Sequence, residues 1–98
     1  MIQQKSIDEA VLRFVDVYDP LAIYSLEEAS DFLFVIIVEG SWQKPHKRSI
    51  AGRYALWGLE APKDILVFTK NEFDERLSDV SSLAYQVKSD GKLLYARS

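Results

Sequence analysis

A run of seven apolar residues from Phe32 to Val38 constrains the fold of this chain more than any other stretch. Most of these residues are β-branched or aromatic, and polar residues lie on both sides of the run. The run is too short to cross a bilayer as a helix, which needs about 20 apolar residues. It therefore predicts a strand buried on both faces, at the centre of a sheet that helices cover.

An aspartate stands at the entry of this strand and of a second predicted strand. Asp31 precedes the apolar run, and Asp64 precedes the shorter run Ile65–Phe68. Two central strands that each begin with a carboxylate are a first indication of a site. Taken one at a time, an aspartate at the start of a strand is more often a solvated terminus or a turn former.

The composition is that of one small folded domain over residues 1–98. Hydrophobic residues make up 48% and aromatic residues 12%, which is typical of a globular chain. The formal charge is −3, so no overall positive field attracts nucleic acid. The absence of cysteine excludes disulfides and thiolate zinc sites. The segment after Met1 is amphipathic and differs from a signal peptide, so we expect a cytoplasmic protein without a membrane partner.

The order of the predicted elements is αββαβααβ, which gives an α/β fold with a small mixed β-sheet flanked by helices. Ser6 and Glu9 have capping-box spacing ahead of an amphipathic helix, and Asp19-Pro20 ends that helix. A short strand over residues 21–24 follows. Residues 25–29 are predicted to link it to the central strand.

The second half of the chain has clearer helix signals. A helix over residues 46–59 follows a loop, and Thr69 with Glu72 predicts a capping box for the next helix. A last helix spans residues 82–89. Gly91 is predicted to close it in the left-handed conformation, before a final strand over residues 93–95.

These segments resemble the minimal nucleotidyltransferases, which are stand-alone domains of the polymerase beta superfamily. Residues 30–38, Ser-Asp-Phe-Leu-Phe-Val-Ile-Ile-Val, are similar to their Ser-Asp-x-Asp strand. Residues 61–73 resemble the strand that carries their third carboxylate and the helix after it, and residues 82–85 and 91–95 match their tail. The resemblance implies a nucleotidyltransferase-like fold and Mg²⁺-dependent transfer of a nucleoside monophosphate from a nucleoside triphosphate such as ATP. Several members serve as antitoxins, which implies a helical HEPN-like protein partner.

The resemblance assigns Asp31 and Asp64 as the catalytic and metal-binding carboxylates. Nucleotidyl transfer uses two divalent cations, and hard cations take carboxylate ligands. An Asp-x-Asp strand presents two carboxylates together, because residues i and i+2 share a face. Here Leu33 occupies the second position, so the sequence supplies two of the three carboxylates.

The phosphate-binding loop of the family is also incomplete. Family members carry a Gly-Ser pair after the first strand, at the start of a helix whose backbone N–H groups hold phosphates. Tyr24 and Ser30 are close in sequence, with no glycine between them, and Gly40-Ser41 follows the aspartate strand instead of preceding it. The nucleotide-binding residues are therefore unassigned, and we expect reduced or lost activity with at most one weak Mg²⁺ site.

Three functions remain open from the sequence. The chain is a working nucleotidyltransferase, a pseudoenzyme that binds a protein as an antitoxin does, or a generic α/β interaction module. A basic group is predicted to be a solvated helix start, with a phosphate or acidic partner as the alternative; its members are Lys44, His46, Lys47, Arg48 and Arg53. Trp42 and Trp57 are predicted to be packing residues and not base-stacking platforms. Together with Tyr24 and Phe32, they are also candidates for an apolar partner surface.

Overall fold

The computed structural model describes residues 3–98, which form helices and strands in the predicted order. The helices are α1 (Gln4–Tyr18), α2 (Pro45–Ala55), α3 (Lys70–Arg76) and α4 (Leu83–Asp90). The strands are β1 (Ala22–Glu28), β2 (Asp31–Val38), β3 (Ile65–Thr69) and β4 (Lys92–Ala96). Within residues 3–98, none of the helices has the length and apolar character needed to cross a membrane.

The strands form one mixed sheet in the order β3-β2-β1-β4. β1 pairs antiparallel with β2 and with β4, whereas β3 pairs parallel with β2. β2 is therefore an interior strand, and β3 lies at an edge. The prediction of a small mixed sheet flanked by helices, with the apolar run in its interior, is confirmed.

Both faces of β2 are buried, because its side chains alternate between two apolar clusters. Phe34 and Ile36 belong to the cluster that α1 completes with Phe14. Val35 and Ile37 belong to the cluster that α3 and α4 complete. Since α2 packs on α1 and on β3, the helices α1 and α2 cover one face of the sheet and α3 and α4 cover the other.

The first helix begins earlier than the sequence predicts. Its N-cap is Gln3, which makes no side-chain capping hydrogen bond, and Ser6 lies inside the helix. The capping-box prediction for Ser6 and Glu9 is wrong, because the N–H of Ser6 already bonds to the carbonyl of Gln3 at 3.0 Å. The predicted end is correct: Asp19 caps the helix in the left-handed conformation, directly before Pro20.

The first strand is longer than predicted. Residues 25–28 continue β1, and Glu28 pairs with Asp31, so Ala29 and Ser30 alone form the turn to β2. The predicted connector over residues 25–29 is wrong, because pairing with the apolar β2 overrides the weak strand preference of Ser25 and the two glutamates. Ala29 has a φ of 53°.

Two helix ends differ from the prediction and two helix starts confirm it. α2 ends at Ala55, before the predicted end at Leu59. Gly91 caps α4 with a φ of −75°, so the predicted left-handed glycine is wrong. Glycine is needed there for space, since a Cβ would lie 2.4 Å from the carbonyl oxygen of Val87. The Thr69 capping box is confirmed, and the hydroxyl of Ser82 caps α4.

Candidate functional site

The two predicted site aspartates lie at the same end of the sheet. Because β2 and β3 run parallel, the residues that enter them reach the same edge. Phe34 of β2 pairs with Ile65 of β3, and the N–H of Phe34 donates to the carbonyl of Asp64 at 3.0 Å. Asp31 and Asp64 are both exposed and line one open cleft of about 570 Å³. The structure therefore brings together the two residues that the sequence singles out.

The acidic side chains of this cleft are not placed as a two-cation centre requires. Leu33 takes the second position on β2 and packs on the cluster around Val35 and Phe73. Glu60 also lines the cleft. Residues 3–98 nevertheless contain no group of three or more histidine, cysteine or acidic side chains placed to hold a metal ion. The donor set at this edge therefore does not fit two-metal nucleotidyl transfer.

The connection between β1 and β2 has no room for the expected phosphate-binding loop. Ala29 and Ser30 join Glu28 to Asp31 in a tight hairpin. Phosphate sites of the expected kind use backbone N–H groups at the start of a helix. Within residues 22–38, the chain instead passes directly from strand to strand.

α2 has its polar and apolar sides exchanged relative to an ordinary surface helix. The residues that it buries are Arg48, Ser49 and Gly52. Ile50 and Tyr54 lie on its other side and are 43% and 73% exposed, and Trp57, in the turn after α2, is 83% exposed. A surface helix normally places its large apolar side chains against the core.

These exposed side chains form one continuous surface. Ile50, Tyr54 and Trp57 are four and three residues apart, which is the spacing of neighbours on one side of a helix. Together with Arg53 they line an open cleft of about 320 Å³. We call these four residues the α2 face.

Tyr18 of α1 holds α2 in this orientation. Its hydroxyl donates to the carbonyl of Arg48 at 2.5 Å and accepts from the N–H of Gly52 at 2.8 Å. These two backbone groups bond to each other in a regular α-helix. Glycine lets α1 approach closely, since a Cβ on Gly52 would lie 2.9 Å from the Tyr18 hydroxyl. A phenol is already a donor at neutral pH, and burial raises the pKa of Tyr18 further above its usual value.

Arg13 of α1 holds the opposite end of α2. Its Nη1 donates to the carbonyl oxygens of Ala55 and Trp57 at 3.1 and 2.9 Å, and its Nε pairs with Glu9 at 3.1 Å. The backbone that carries Trp57 is therefore fixed. Trp57 is therefore exposed because the anchored backbone directs it outward, and not because the end of the helix is frayed.

Arg48 is buried in an ion pair. Its Nη1 and Nη2 donate to the two carboxylate oxygens of Glu72 at 2.6 and 3.1 Å, and Nη1 also donates to the carbonyl of Val67 at 3.3 Å. The hydrogen bonds from Arg48 and from the backbone of Thr69 lower the pKa of Glu72 to about 2. Arg48 thus joins α2 to α3 across the outer edge of β3, and the prediction that it is a solvated cation is wrong. The other members of the basic group are exposed, as predicted: Lys44, His46, Lys47 and Arg53.

The aromatic residues differ most from the sequence prediction. Trp42 and Trp57 are 93% and 83% exposed, so the prediction that they are packing residues is wrong. Phe32 is buried, and Tyr24 stacks on Phe73 with ring centroids 6.0 Å apart. Of the four candidates for an apolar partner surface, the two tryptophans are therefore the ones that solvent reaches fully.

The sequence contains one signal for the α2 face. Its residues recur at helical spacing, but such a stripe by itself predicts the buried side of a helix. Arg48 and Gly52 recur at the same spacing on the opposite side. The contacts that decide which side lies inward come from Tyr18 and Glu72, which are distant in sequence.

Comparisons with known proteins add no family to these observations. No protein-family model matches the chain, and neither a curated protein nor a solved structure matches it. The resemblance to the minimal nucleotidyltransferases stays a prediction from the sequence.

Proposed function

We propose that this chain is a protein-binding module that keeps the framework of a minimal nucleotidyltransferase without its transfer activity. It acts beside a protein partner, in the manner of the antitoxins of that family. The α2 face is the binding surface. Asp31 and Asp64 are what remains of a catalytic edge.

The observation that carries this proposal is the outward placement of the large apolar residues of α2. Burying apolar surface stabilises a protein by about 25 cal/mol per Å². A chain that acts alone gains nothing from holding Tyr54 and Trp57 in water, whereas an interface buries both. Tryptophan and tyrosine are also the residues that most often dominate the binding energy of protein interfaces.

The fixed position of α2 supports binding as well. Side-chain hydrogen bonds from Arg13, Tyr18 and Arg48 hold the helix at separate points along its length. A surface that is ordered before binding loses less conformational entropy on association. The α2 face therefore has the properties of a prepared contact surface.

The incomplete edge at Asp31 supports the loss of transfer activity. Leu33 replaces a ligand, and the turn at Ala29 leaves no place for a phosphate-binding helix. Complete positioning of reactants lowers a barrier by about 7–11 kcal/mol. Electrostatic stabilisation of the transition state is usually the largest single contribution. A site that lacks both the phosphate-binding loop and a metal ligand transfers nucleotides at a rate near background.

A working nucleotidyltransferase is the second candidate, and one observation favours it. Asp31 begins β2 and Asp64 directly precedes β3, and yet both line the same open cleft. Two carboxylates at one place are able to bind a single hard cation. Transfer in that case requires a mechanism with fewer metal ligands than the family uses.

A transfer assay with labelled nucleoside triphosphates and Mg²⁺ separates the two candidates. We expect background transfer from the unaltered chain, from Asp31→Ala and from its matched surface control Asp16→Ala. Leu33→Asp restores a ligand but no phosphate loop, so it is also expected to stay at background. The variant able to recover transfer combines Leu33→Asp with a Gly-Ser loop inserted at the Ala29–Ser30 turn, outside the paired strands. Magnesium-dependent transfer by the unaltered chain that Asp31→Ala abolishes and Asp16→Ala preserves contradicts the proposal.

A further inference from the structure

The charges of this chain are segregated along the sequence. The segment between Glu39 and Glu60 contains four of the 12 basic residues and none of the 15 acidic residues, so it carries +4 while the rest of the chain carries −7. Arg48 directs its charge into the chain, toward Glu72. The exposed cations of the segment are therefore Lys44, Lys47 and Arg53.

Two of these cations lie at the α2 face. Arg53 lines the same cleft as the exposed aromatic residues. Lys47 lies three residues before Ile50, so the two side chains are neighbours on the helix surface. Asp31 and Asp64 share a neighbouring cleft with Arg53, but the ion pairs among residues 3–98 include neither Arg53 nor Lys47. An apolar strip with cations beside it is thus open to solvent.

We infer that the α2 face binds an amphipathic helix of a partner protein, whose apolar stripe is flanked by aspartate and glutamate residues. This inference rests on the proposed function and adds the chemistry of the partner. A helix fits because Ile50, Tyr54 and Trp57 form a ridge at helical spacing beside a cleft, and helices pack by placing ridges in grooves. Acidic flanks fit because complementary charges fix register and speed association.

The observations favour this occupant over single-stranded nucleic acid, which also binds aromatic residues among cations. Nucleic-acid affinity depends on neutralising several consecutive phosphates. Lys47 and Arg53 are the exposed cations at the α2 face, and the net charge of −3 repels a phosphate backbone beyond them. Ile50, the first residue of the ridge, is aliphatic and provides no stacking platform for a base.

The test places a photoreactive benzoyl-phenylalanine at Tyr54 and crosslinks the full chain in the cells that produce it. The same photoreactive residue at Leu12, an exposed apolar position on α1, is the control. Mass spectrometry then identifies what is attached. We expect a crosslink specific to Tyr54, to a segment with apolar residues at helical spacing and acidic residues beside them.

Charge reversal tests the same inference through the yield of that crosslink. Each exposed ion pair changes an affinity by a factor of up to about five. The combination of Lys47→Glu and Arg53→Glu converts two attractive pairs into repulsive ones, so we expect the yield to fall by about tenfold or more. Lys5→Glu reverses an exposed cation on α1 and is expected to leave the yield unchanged.

The outcomes separate this inference from the function on which it rests. A protein crosslink at Tyr54 to a segment without acidic residues, with a yield that charge reversal does not lower, overturns the acidic helix and leaves the protein-binding module in place. A crosslink to nucleic acid overturns both, and so does the absence of any crosslink specific to Tyr54. Transfer activity that depends on Asp31 overturns the proposed function by a route that does not involve the α2 face.

Discussion

Ile36 lies in the middle of β2 and has no exposed surface. Ile23 of β1 pairs with it on one side and Val67 of β3 on the other. Its side chain belongs to the cluster that Phe14 joins from α1. A single residue therefore connects three strands and a helix.

Truncating this residue removes contacts that the surroundings cannot replace. Ile36→Ala is expected to lower the free energy of unfolding by about 2–5 kcal/mol, because interiors are closely packed and a cavity remains. Leu66→Ala is the matched control, since Leu66 is an aliphatic strand residue that is 40% exposed, and a clearly smaller loss is expected. Urea unfolding of the purified variants measures both. A loss below about 0.5 kcal/mol at Ile36 contradicts the assigned role of β2.

The burial of some single residues can be predicted from the local sequence, and that of others cannot. The apolar character of Ile36 was sufficient to predict its position, because its neighbours in the strand are apolar as well. Trp57 is exposed and Arg48 is buried, which is the opposite of what their side-chain chemistry predicts. Their positions depend on partners far away in the chain, Arg13 and Glu72, and no local pattern contains that information.

At the scale of secondary-structure elements, α2 and α3 are joined around the open side of β3. The two helices cover opposite faces of the sheet, and the side chain of Arg48 passes the edge strand to reach Glu72. On its way it donates to the carbonyl of Val67, a group that an edge strand otherwise presents to other chains. This ion pair therefore fixes two helices and covers part of a sheet edge.

The ion pair makes the stability of the protein depend on pH in a defined direction. Folding lowers the pKa of Glu72 from 4.5 to about 2. The ionised carboxylate therefore stabilises the native state, fully above about pH 5, and this stabilisation is lost as the pH falls from 4.5 toward 2. Because Glu72 is partly exposed, we expect Glu72→Gln to cost about 1–2 kcal/mol at pH 7 after solvent screening.

Urea unfolding across the acid range measures this difference. The gap in stability between the unaltered chain and Glu72→Gln is expected to close as the pH approaches 2. Glu75→Gln removes an exposed carboxylate from the same helix and is expected to have little effect at any pH. A gap that stays constant from pH 7 to the acid limit contradicts the role assigned to the charge of Glu72.

The elements that the sequence predicts well are those with strong local signals. β2, β3 and the Thr69 capping box combine apolar runs with unambiguous cap residues, and their positions agree with the prediction. The second half of β1 has no such signal, since Ser25, Glu27 and Glu28 have weak strand preferences. Its structure comes from pairing with β2, which is a tertiary effect.

At the scale of the whole molecule, two candidate surfaces lie next to each other. The aspartate edge contains Asp31 and Asp64, and the α2 face contains Tyr54 and Trp57. Arg53 belongs to the α2 face and also lines a cleft with the two aspartates. The first surface was predictable, because parallel strands bring their starting residues to one edge. The second was not, because it depends on how α2 is rotated against α1 and β3.

The central claim is that this protein acts through the α2 face and not through the aspartate edge. The most direct test compares two double variants for binding to the partner that the Tyr54 crosslink identifies. Tyr54→Ala with Trp57→Ala is expected to weaken the complex by at least about 30-fold, the usual effect of losing one interface hot spot. Its unfolding midpoint should stay unchanged, since both side chains are largely exposed. Asp31→Ala with Asp64→Ala is expected to bind as the unaltered chain does. Binding that survives the first double variant and disappears with the second contradicts the account.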